Sequence, residues 1–351
     1  MDNRYVLITG GAGFIGTNVA RSYLRNDIPV HIFDNLSRAG VERNVTDLQR
    51  EYPGRVLFTH ADTRDRAKVD AAVATANAVY HFAAQVAVTT SLDDPLGDLH
   101  TNLLGTLNVL EAIRKSDARP GLLFTSTNKV YGRLESVKLR EQSNRYEPQQ
   151  VEIASRGAGE DQPLEFLSPY GCSKGSADQY VLDYAHSFGI RATVFRMSCI
   201  YGRHQLGSED QGWVAHFVRQ AMKGDPITIY GDGKQVRDLL FAGDLVRAMR
   251  LAHENMEVCA GQAFNMGGGI ENSTSLLELI AQIRLLIGGP VQIEWGPERL
   301  ADQRWYVADS SKFRSLLGWK PEVSIRQGLR ALYDWYREHP SLVERAEAQV
   351  A

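Results

Sequence analysis

The stretch TGGAGFIG at residues 9–16 decides the fold. It lies between an apolar run, YVLIT (5–9), and a helix-like segment. Three glycines, Gly10, Gly13 and Gly16, recur at every third position, as in one variant of the dinucleotide-binding fingerprint. Glycine lets the backbone turn tightly and approach a pyrophosphate, while the following helix N-terminus offers free N–H groups to the anion. In this strand–turn–helix context the glycines predict a dinucleotide site.

Further apolar runs alternate with amphipathic stretches through the first half of the chain. The strand-like runs are 29–34, 55–62, 78–84, 121–127 and 191–196. Apolar strands separated by helical patterns are typical of a parallel sheet covered by helices on both faces. The sequence therefore predicts an α/β fold, a Rossmann-type doubly wound parallel sheet with a smaller mixed α/β lobe toward the C-terminus.

The alternation weakens after about residue 200, which suggests a second region. We expect a cofactor-binding domain over 1–200, to which 237–268 returns, and a substrate-binding lobe from 201–236 and 269–340. Residues 341–351 have the composition of a solvated tail. In the second region the helical patterns are 212–223, 244–254, 274–287 and 324–338, with one more strand at 262–268.

Residues 133–168 do not fit the alternation, because they are rich in polar and charged residues and hard to assign. A loop of this length in a compact domain is usually functional or mobile. A surface excursion without a role is the other interpretation.

Bulk composition excludes several classes of function. The 351 residues carry a formal net charge of −3, which gives no indication of a nucleic-acid surface. No apolar run reaches the roughly 20 residues that span a bilayer, and the N-terminal sequence lacks the pattern of a signal peptide. Three widely spaced cysteines indicate neither a disulfide framework nor a metal site. We expect a cytoplasmic protein without metal, nucleic-acid or membrane partners.

Two acids follow the second and third strand-like runs. Asp34 comes 18 residues after Gly16, where a carboxylate can accept both ribose hydroxyls of an adenosine and repel a 2′-phosphate. NAD is therefore favoured over NADP, although Arg38 is close enough in sequence to hold such a phosphate. Asp62 has two interpretations, a hydrogen bond to the adenine amino group or a helix N-cap.

The segment SPYGCSK (168–174) contains a tyrosine and a lysine that can work as a pair. Tyr170 and Lys174 are four residues apart, so a helix places them on one face. An ammonium group stabilises a phenolate and lowers the pKa of the phenol, which is ordinarily about 10. A tyrosine tuned in this way can take a proton from a sugar hydroxyl. A surface helix pair has the same spacing, so other motifs must decide between the two.

The order of the motifs provides that evidence. TGGAGFIG is followed by Asp34, HFAA (81–84), NLLGTLNVLEA (102–112), FTSTNKVYG (124–132) and YGCSK, and later by RDLLFAGDLVRAM and FNMGGG. Together they resemble the extended short-chain dehydrogenase/reductases, in particular the NAD-dependent sugar-nucleotide epimerase/dehydratase family. The resemblance covers nearly the whole chain and implies NAD as cofactor, a nucleotide-diphosphate sugar as substrate, and a homodimer or homotetramer packed through helices 98–115 and 170–187.

The resemblance also implies a role for each matching residue. Thr127 would hydrogen-bond the reacting oxygen, Tyr170 would be the acid/base and Lys174 would tune it. The residues expected to bind NAD are Gly10, Gly13, Phe14, Ile15, Gly16, Asp34, Asn35, Asp62, Ala83, Asn102, Tyr170 and Lys174. The residues expected to contact the sugar nucleotide are Thr127, Asn128, Cys199, Arg237 and Arg299. The two arginines suit the diphosphate, because a planar guanidinium pairs with phosphate oxygens at two points.

The residues after Thr127 bear on the reaction. Sugar-nucleotide 4,6-dehydratases of this family have Asp-Glu there, whereas this chain has Asn128 and Lys129. An amide and a cation cannot serve as a paired general acid and base at neutral pH, so an epimerase, an isomerase acting on carbohydrates, is expected instead.

Subfamily motifs bear on the carbon that reacts. RMSCIYG (196–202) has Cys199 where 4-epimerases have asparagine, and with DQGWV (210–214) and GDGKQVRD (231–238) it looks most like the CDP-paratose 2-epimerases. The alternatives are a UDP-sugar 4-epimerase, another oxidoreductase of the family acting on nucleotide-linked hexoses, and a silent NAD-binding sensor. Spacing alone does not distinguish C2 from C4.

Overall fold

A computed structural model describes residues 5–299 and 302–344, and these group into two compact units. Unit 1 consists of the residues up to Val130 together with Ser168–Arg196 and Val246–Phe264. Unit 2 consists of Tyr131–Leu167, Met197–Leu245 and the residues from Asn265 onward. We expected one unit to bind the cofactor and the other to bind the substrate. The contacts within the units do not test this, so it stays a prediction.

The strands of the described residues are short and are numbered here in chain order. They are β1 (Tyr5–Thr9), β2 (Val30–Asp34), β3 (Val56–His60), β4 (Ala76–His81), β5 (Gly121–Thr127), β6 (Leu139–Glu141), β7 (Tyr146–Pro148), β8 (Ala192–Met197), β9 (Cys199–Tyr201), β10 (Ile227–Tyr230), β11 (Val236–Phe241), β12 (Ala263–Met266), β13 (Ser273–Ser275), β14 (Ile293–Gly296) and β15 (Trp305–Tyr306).

The α-helices are numbered in the same way. They are α1 (Phe14–Leu24), α2 (Glu42–Glu51), α3 (Arg66–Ala74), α4 (Val88–Asp93), α5 (Pro95–Leu99), α6 (Gly105–Lys115), α7 (Val151–Arg156), α8 (Ser168–Phe188), α9 (Trp213–Lys223), α10 (Ala242–Glu254), α11 (Met256–Cys259), α12 (Leu276–Ile287), α13 (Ser311–Leu317), α14 (Ile325–Glu338) and α15 (Pro340–Glu344). A π-helical turn, His100–Leu104, joins α5 to α6.

The main sheet has seven parallel strands in the order β12-β8-β5-β4-β1-β2-β3. This confirms the predicted α/β fold with a Rossmann-like sheet and smaller mixed sheets. Strand β1 pairs with β2 on one side and with β4 on the other, so the winding reverses there. In sheets of this kind ligands bind at the carboxyl ends of the strands beside such a reversal. The glycine turn follows β1, and it therefore lies at the position where a dinucleotide is expected.

Helices cover the main sheet because apolar side chains line both its faces. A buried cluster contains residues of β1, β2, β4, β5 and β8 together with residues of α3, α6 and α8, among them Leu7, Val79, Val109, Leu122 and Val181. Burial of both faces explains why these strands read as continuous apolar runs.

Unit 2 has smaller sheets and its own apolar cluster. Strands β10 and β14 pair in parallel, β11 lies between β13 and β15, and β9 also pairs with β11. The cluster packs α9, α12 and α14 together and includes Val218, Ile280 and Leu332. Capping boxes begin two of these helices, with Ser275 and Glu278 at α12 and Ser324 and Gln327 at α14. Such reciprocal hydrogen bonds satisfy N–H groups that a helix start leaves open.

Residues 133–168, expected as a long loop, are partly regular. They contain the antiparallel pair of β6 and β7, helix α7, and the first residue of α8. Hydrogen bonds fasten the segment within unit 2, from Tyr146 to Asp232 over 2.6 Å and from Arg145 to the Ser273 hydroxyl over 2.9 Å. The segment is therefore more regular than the loop that was expected, and its functional or mobile character stays a prediction.

The helical patterns of the second half correspond to α9, α10, α12 and α14. The helix expected over 98–115 is broken into α5, the π-helical turn and α6. Of the expected tail, 341–344 belong to α15, and 345–351 lie outside the described residues. Among the helices of the described ranges, none combines the length and the apolar character needed to cross a bilayer.

Candidate active site

The glycine turn joins β1 to α1 in a geometry that side chains would obstruct. Gly10 has a φ of +66°, and a Cβ built on it would lie 2.6 Å from the backbone nitrogen of Ala83. A Cβ on Gly16 would lie 2.5 Å from the carbonyl oxygen of Gly10. A Cβ on Gly13 would have one neighbour within 4 Å among the described residues, the carbonyl oxygen of Gly10 at 3.2 Å. The outer glycines are required by the turn itself, and the middle glycine keeps space open at the helix N-terminus.

The start of helix α1 presents backbone N–H groups at this point. Gly13 is its N-cap and makes no side-chain capping bond. The first N–H groups of a helix, here including those of Phe14 and Ile15, have no acceptor within the helix. The turn and the helix start therefore form a cradle that fits an anion such as a pyrophosphate.

Asp34, at the end of β2, is tied to the glycine turn. Its carboxylate accepts hydrogen bonds from the backbone nitrogens of Ala12 over 3.0 Å and Leu36 over 2.8 Å. Burial raises the pKa of Asp34, and the backbone donors and nearby Arg38 oppose that effect. Arg38 itself is exposed. The carboxylate is thus fixed beside the cradle, where a ribose would be recognised.

Asn35 and Asp62 form a second pair at this edge of the sheet. The Asn35 amide donates to Asp62 over 2.7 Å, and Arg64 donates to the same carboxylate through two nitrogens. The bonds from Arg64 are the main reason that the pKa of Asp62 falls to about 2. The N-cap interpretation of Asp62 is wrong, because Asp65 caps α3 by accepting from the backbone N–H of Lys68.

Ala83 and Asn102 lie near the carboxyl end of β4. The Ala83 N–H donates to the Thr9 hydroxyl over 3.3 Å. Asn102 is buried in the π-helical turn, and its amide both accepts from the backbone N–H of Gln85 and donates to the Gln85 carbonyl. Asn102 therefore holds the loop after β4 in place. Local π-helical geometry of this kind is frequent at functional sites.

Thr127, Tyr170 and Lys174 come together in unit 1. Thr127 ends β5, and Tyr170 and Lys174 lie one turn apart on α8. A side-chain hydrogen bond joins Tyr170 to Thr127. Lys174 donates from Nζ to the carbonyl of Thr125 over 2.7 Å and lies 4.2 Å from the ring centre of Phe124. Tyr170 is 8% exposed and Lys174 is 4% exposed.

The backbone before Tyr170 is unusual. Ser168, which begins α8, has a φ of +66°, in the region that favours glycine. Its hydroxyl accepts a hydrogen bond from the N–H of Gly171 over 3.3 Å. Non-glycine residues in this region cluster at functional sites, where the surroundings hold them. Here the turn fixes the helix start that carries Tyr170.

Burial controls the protonation of the pair. Desolvation raises the pKa of Tyr170 to about 12, although the hydrogen bond from Thr127 acts in the opposite direction. Desolvation also lowers the pKa of Lys174 to about 7, against the attraction of Asp178 and Asp98. The expectation that Lys174 lowers the pKa of Tyr170 is therefore not met in the chain alone, because the cost of burying a phenolate is the larger effect.

Asn128 and Lys129 follow Thr127 in a 3-10 turn. The Asn128 side chain is buried and accepts from the Thr127 hydroxyl over 3.3 Å. The backbone N–H of Lys129 donates to the same hydroxyl over 3.2 Å. Both residues thus fix Thr127, and neither supplies a carboxylate.

Cys199 lies in unit 2, at the start of β9. The indole N–H of Trp213 donates to its sulfur over 3.4 Å, so Cys199 contacts the first residue of α9. The Cys199 thiol therefore packs against Trp213 and accepts its hydrogen bond.

Arg237 and Arg299 also lie in unit 2, each held by acids. Arg237 is buried and donates to Asp302 over 2.8 Å. Arg299 lies within 3.3 Å of both Glu209 and Asp210. Its guanidinium also lies 4.0 Å from the ring centre of Tyr230. Both guanidinium groups are thus fixed in place within the unit.

Several of these partners escaped the sequence-based prediction. Asp98 and Ser173 are buried next to Tyr170 and Lys174, and the two arginines are held by Asp302, Glu209 and Tyr230. Asp98 precedes Asn102 by four residues and Ser173 directly precedes Lys174, so proximity to predicted residues is the signal that could have found them.

A family model described as GDP-mannose 4,6 dehydratase matches residues 7–332. CDP-paratose 2-epimerase of Salmonella typhi is 42% identical over 94% of this chain and 98% of its own length.

Two solved structures cover nearly all of both chains. UDP-glucose 4-epimerase of Thermotoga maritima, with UDP-glucose, is 29% identical with a TM-score of 0.80, over 96% of this chain and 99% of that one. The dTDP-glucose 4,6-dehydratase DesIV of Streptomyces venezuelae, with NAD bound, is 28% identical with a TM-score of 0.81, over 96% of this chain and 98% of that one.

The proteins matched are enzymes of the kind that the residues in unit 1 suggest. They include epimerases and dehydratases, and they extend over both compact units. The chain belongs to the NAD-dependent sugar-nucleotide epimerase/dehydratase family.

Proposed function

We propose that this chain is an NAD-dependent epimerase that inverts the C2 centre of a nucleotide-diphosphate sugar, as the name CDP-paratose 2-epimerase implies for its Salmonella typhi relative. The observation that carries the proposal is the buried group formed by Thr127, Tyr170 and Lys174, in a chain where two residues other than acids follow Thr127. These two residues are Asn128 and Lys129. The second candidate, a UDP-sugar 4-epimerase, is favoured by the similarity to the Thermotoga maritima enzyme.

The residues around the glycine turn fit NAD. The open space at Gly13 and the first turn of α1 suit the pyrophosphate. Asp34, fixed beside them, suits the ribose hydroxyls and disfavours a 2′-phosphate. The same edge of the sheet is lined by Asn35, Asp62, Ala83 and Asn102. The NAD-bound dehydratase structure supports the same cofactor here.

Bound NAD would supply an acceptor and then a donor of the hydride on the sugar carbon, so that the reaction would involve no net oxidation. Tyr170 removes the proton from the hydroxyl on that carbon and later gives it back. Because burial raises its pKa to about 12, Tyr170 needs a neighbouring positive charge to act as a base near neutrality. Lys174 is poised to provide one, since its pKa of about 7 leaves much of it protonated there.

Thr127 orients the reacting hydroxyl. Its own hydroxyl is held by Tyr170, by Asn128 and by the N–H of Lys129, so it cannot rotate freely. An oxygen of the sugar placed between Thr127 and Tyr170 would be within reach of both, which is the geometry that proton transfer requires.

Inversion requires the ketone to present its other face before the hydride returns. The rest of the substrate must stay bound meanwhile, which calls for anchors remote from the reacting carbon. Arg237 and Arg299 suit the diphosphate, because a guanidinium fork pairs with two oxygens. Their present partners, Asp302 and Glu209, pre-orient the two forks.

Dehydration is disfavoured by the chemistry of the residues beside Thr127. Removal of a C5 proton and loss of the C6 hydroxyl require a general base and a general acid. The Asn128 amide cannot accept a proton at neutral pH, and Lys129 is a cation. An epimerase needs neither, so the available residues suffice for it.

Two features favour C2 over C4. One is the identity of 42% with a CDP-paratose 2-epimerase over nearly the full length of both chains. The other is Cys199, whose sulfur contacts Trp213 at the position where 4-epimerases have asparagine.

A substrate panel tests the proposal. Purified chain is incubated separately with CDP-paratose, UDP-galactose and dTDP-glucose, and the products are identified by NMR. We expect C2 inversion of CDP-paratose and no turnover of dTDP-glucose to a 4-keto-6-deoxy sugar. Faster inversion of UDP-galactose at C4 would favour the second candidate, and a 4-keto-6-deoxy product would contradict both.

A further inference from the structure

Asp98 is a buried carboxylate that the proposed mechanism does not use. It lies on the short helix α5 and is 1% exposed. The Ser173 hydroxyl donates to one of its oxygens, and the Asn102 amide donates to the other over 3.1 Å. Both donors are neutral. A carboxylate is rarely buried without a cationic partner nearby, because desolvation is costly.

The place of Asp98 connects it to the catalytic pair. Ser173 lies between Tyr170 and Lys174 on α8, and its hydroxyl is also within 3.2 Å of the Tyr170 carbonyl. Asp98 therefore holds the helical turn that carries both residues. Its charge also acts on both of them through a water-poor interior.

We propose that Asp98 is a positioning residue of the active site, which fixes the first turns of α8 through Ser173 and supplies a negative charge that acts, in addition to burial, on the protonation of Lys174 and Tyr170. This inference rests on the proposed function, in which these two residues perform the proton transfer.

The other charges near Lys174 do not replace that of Asp98. Asp178 also attracts Lys174, but both of its oxygens are engaged by Arg196, at 2.9 Å each. The guanidinium offsets much of that carboxylate's field. His81 is buried and has a pKa lowered to about 3, chiefly by desolvation, so it is neutral. Asp98 is accordingly a second anion, beside Asp178, whose charge acts on Lys174, and unlike Asp178 it has no guanidinium of the described residues on its oxygens.

Removal of the charge has a predictable sign for both groups. Asp98 raises the pKa of Lys174, so its loss lowers that pKa further. Asp98 also raises the pKa of Tyr170. Lys174 is already neutral at the alkaline pH where a phenol titrates. A change in the charge of Lys174 therefore does not hide the change in the pKa of Tyr170. Both titrations should therefore move to lower pH.

The variant Asp98→Asn tests this, because it removes the charge while keeping the size. The matched control is Asp93→Asn, an exposed aspartate on the neighbouring helix α4. The NAD-loaded chain is titrated with base, and phenolate absorbance is followed in the ultraviolet. The difference from a Tyr170→Phe chain isolates the signal of Tyr170. The pH dependence of kcat with CDP-paratose is measured in parallel.

We expect Asp98→Asn to shift the Tyr170 titration and the kcat profile downward by on the order of one pH unit, the size of an interaction between nearby charges at an effective dielectric constant of about 20. The Asp93→Asn chain should coincide with the wild type. A lower melting temperature with unshifted titrations would overturn the proposal, since that is the result of a purely structural role.

The outcome is separable from that of the proposed function. If Tyr170→Phe keeps full activity, the proposed acid/base assignment fails, whatever Asp98 does. If Tyr170→Phe is inactive and the phenolate titration of Asp98→Asn is unchanged, the inference about Asp98 alone is wrong. The titration requires no turnover, so it stands even when CDP-paratose is not the substrate.

Discussion

The Nζ atom of Lys174 donates a hydrogen bond of 2.7 Å to the backbone carbonyl of Thr125, two residues before Thr127. This bond connects α8 to the end of β5 and holds the ammonium 4.2 Å from the ring centre of Phe124. It explains how a lysine can be buried within the first turns of a helix. It also ties the proposed tuning residue to the strand that presents the reacting hydroxyl.

Replacement of Lys174 by methionine should slow turnover strongly while the chain stays folded. The side chain keeps its apolar packing, but the charge that allows Tyr170 to act as a base is lost. We expect kcat to fall by about 10²–10⁴-fold, the usual worth of a general acid–base group. Steady-state kinetics and circular dichroism measure the two effects. The control is Tyr180→Phe, an exposed position on the same helix, which should keep its rate.

The buried ion pair of Asp178 and Arg196 should contribute far more to folding than surface pairs do. Arg196 is paired through two bonds of 2.9 Å, and both residues are almost fully buried. Arg196→Met leaves a carboxylate unpaired in the interior, so we expect a loss of about 3–5 kcal/mol in the free energy of unfolding.

The matched control for that variant is Arg50→Met, in which an exposed pair with Asp47 is broken. This loss should be under about 1 kcal/mol, because solvent screens the pair. Urea unfolding of both variants measures the difference. Equal losses of unfolding free energy in the two variants would show that the buried pair stabilises the fold no more than the exposed pair does.

Asp238 should make the stability of the chain depend on pH. It is buried in unit 2 and accepts bonds from the Ser198 hydroxyl and from the N–H of Gly269. Burial raises its pKa to about 6, from 3.8. A raised pKa means that the folded state prefers the protonated acid. The stabilisation is therefore complete below about pH 4 and is lost as pH rises through 6, by up to about 3 kcal/mol.

The variant Asp238→Asn cannot titrate at this position and should lose that component. Urea midpoints of both proteins at pH 5 and pH 8 give the comparison, with the wild type weakening more between the two values. An identical pH dependence in both proteins would contradict the assignment.

The exposed leucines of the α4–α6 segment favour the predicted homodimer or homotetramer. Leu96 is 67% exposed, and Leu92, Leu99 and Leu104 are exposed nearby. On α8, Tyr180 and Phe188 are also exposed, so both helices that were expected at the interface present apolar side chains. We expect Leu96→Asp to dissociate the assembly. Light scattering after size-exclusion chromatography measures the mass.

Leu285→Asp serves as the control for that variant. It introduces the same charge at a leucine that is 86% exposed on α12, in unit 2. This variant should keep the mass of the wild type. A monomeric wild type, or dissociation by Leu285→Asp alone, would contradict the prediction.

Local patterns account for the parts of the site that could be predicted from the sequence. The glycine turn is specified by backbone requirements at Gly10 and Gly16, and a four-residue spacing places Tyr170 and Lys174 on one face of a helix. The carboxyl ends of parallel strands lie at one edge, which brings Asp34 near the turn. These relations require only neighbours in the chain or in the sheet.

Other features depend on contacts between distant segments and were missed. The break of the helix at His100–Leu104 contains Asn102, whose amide bonds to the loop at Gln85. The pairing of Asp98 with Ser173 joins two helices separated by more than seventy residues. The direction of the pKa shift of Tyr170 was wrong, because the spacing of residues does not reveal how completely the phenol is buried.

Direct return of the hydride is the central claim, and isotope exchange tests it most directly. The chain, loaded with NAD, is incubated with CDP-paratose in D₂O, and both epimers are analysed by NMR. We expect inversion at C2 with the original hydrogen retained on the carbon, because the proton handled by Tyr170 belongs to the hydroxyl. Solvent deuterium at C2 would contradict the account, since it would require deprotonation of the carbon itself.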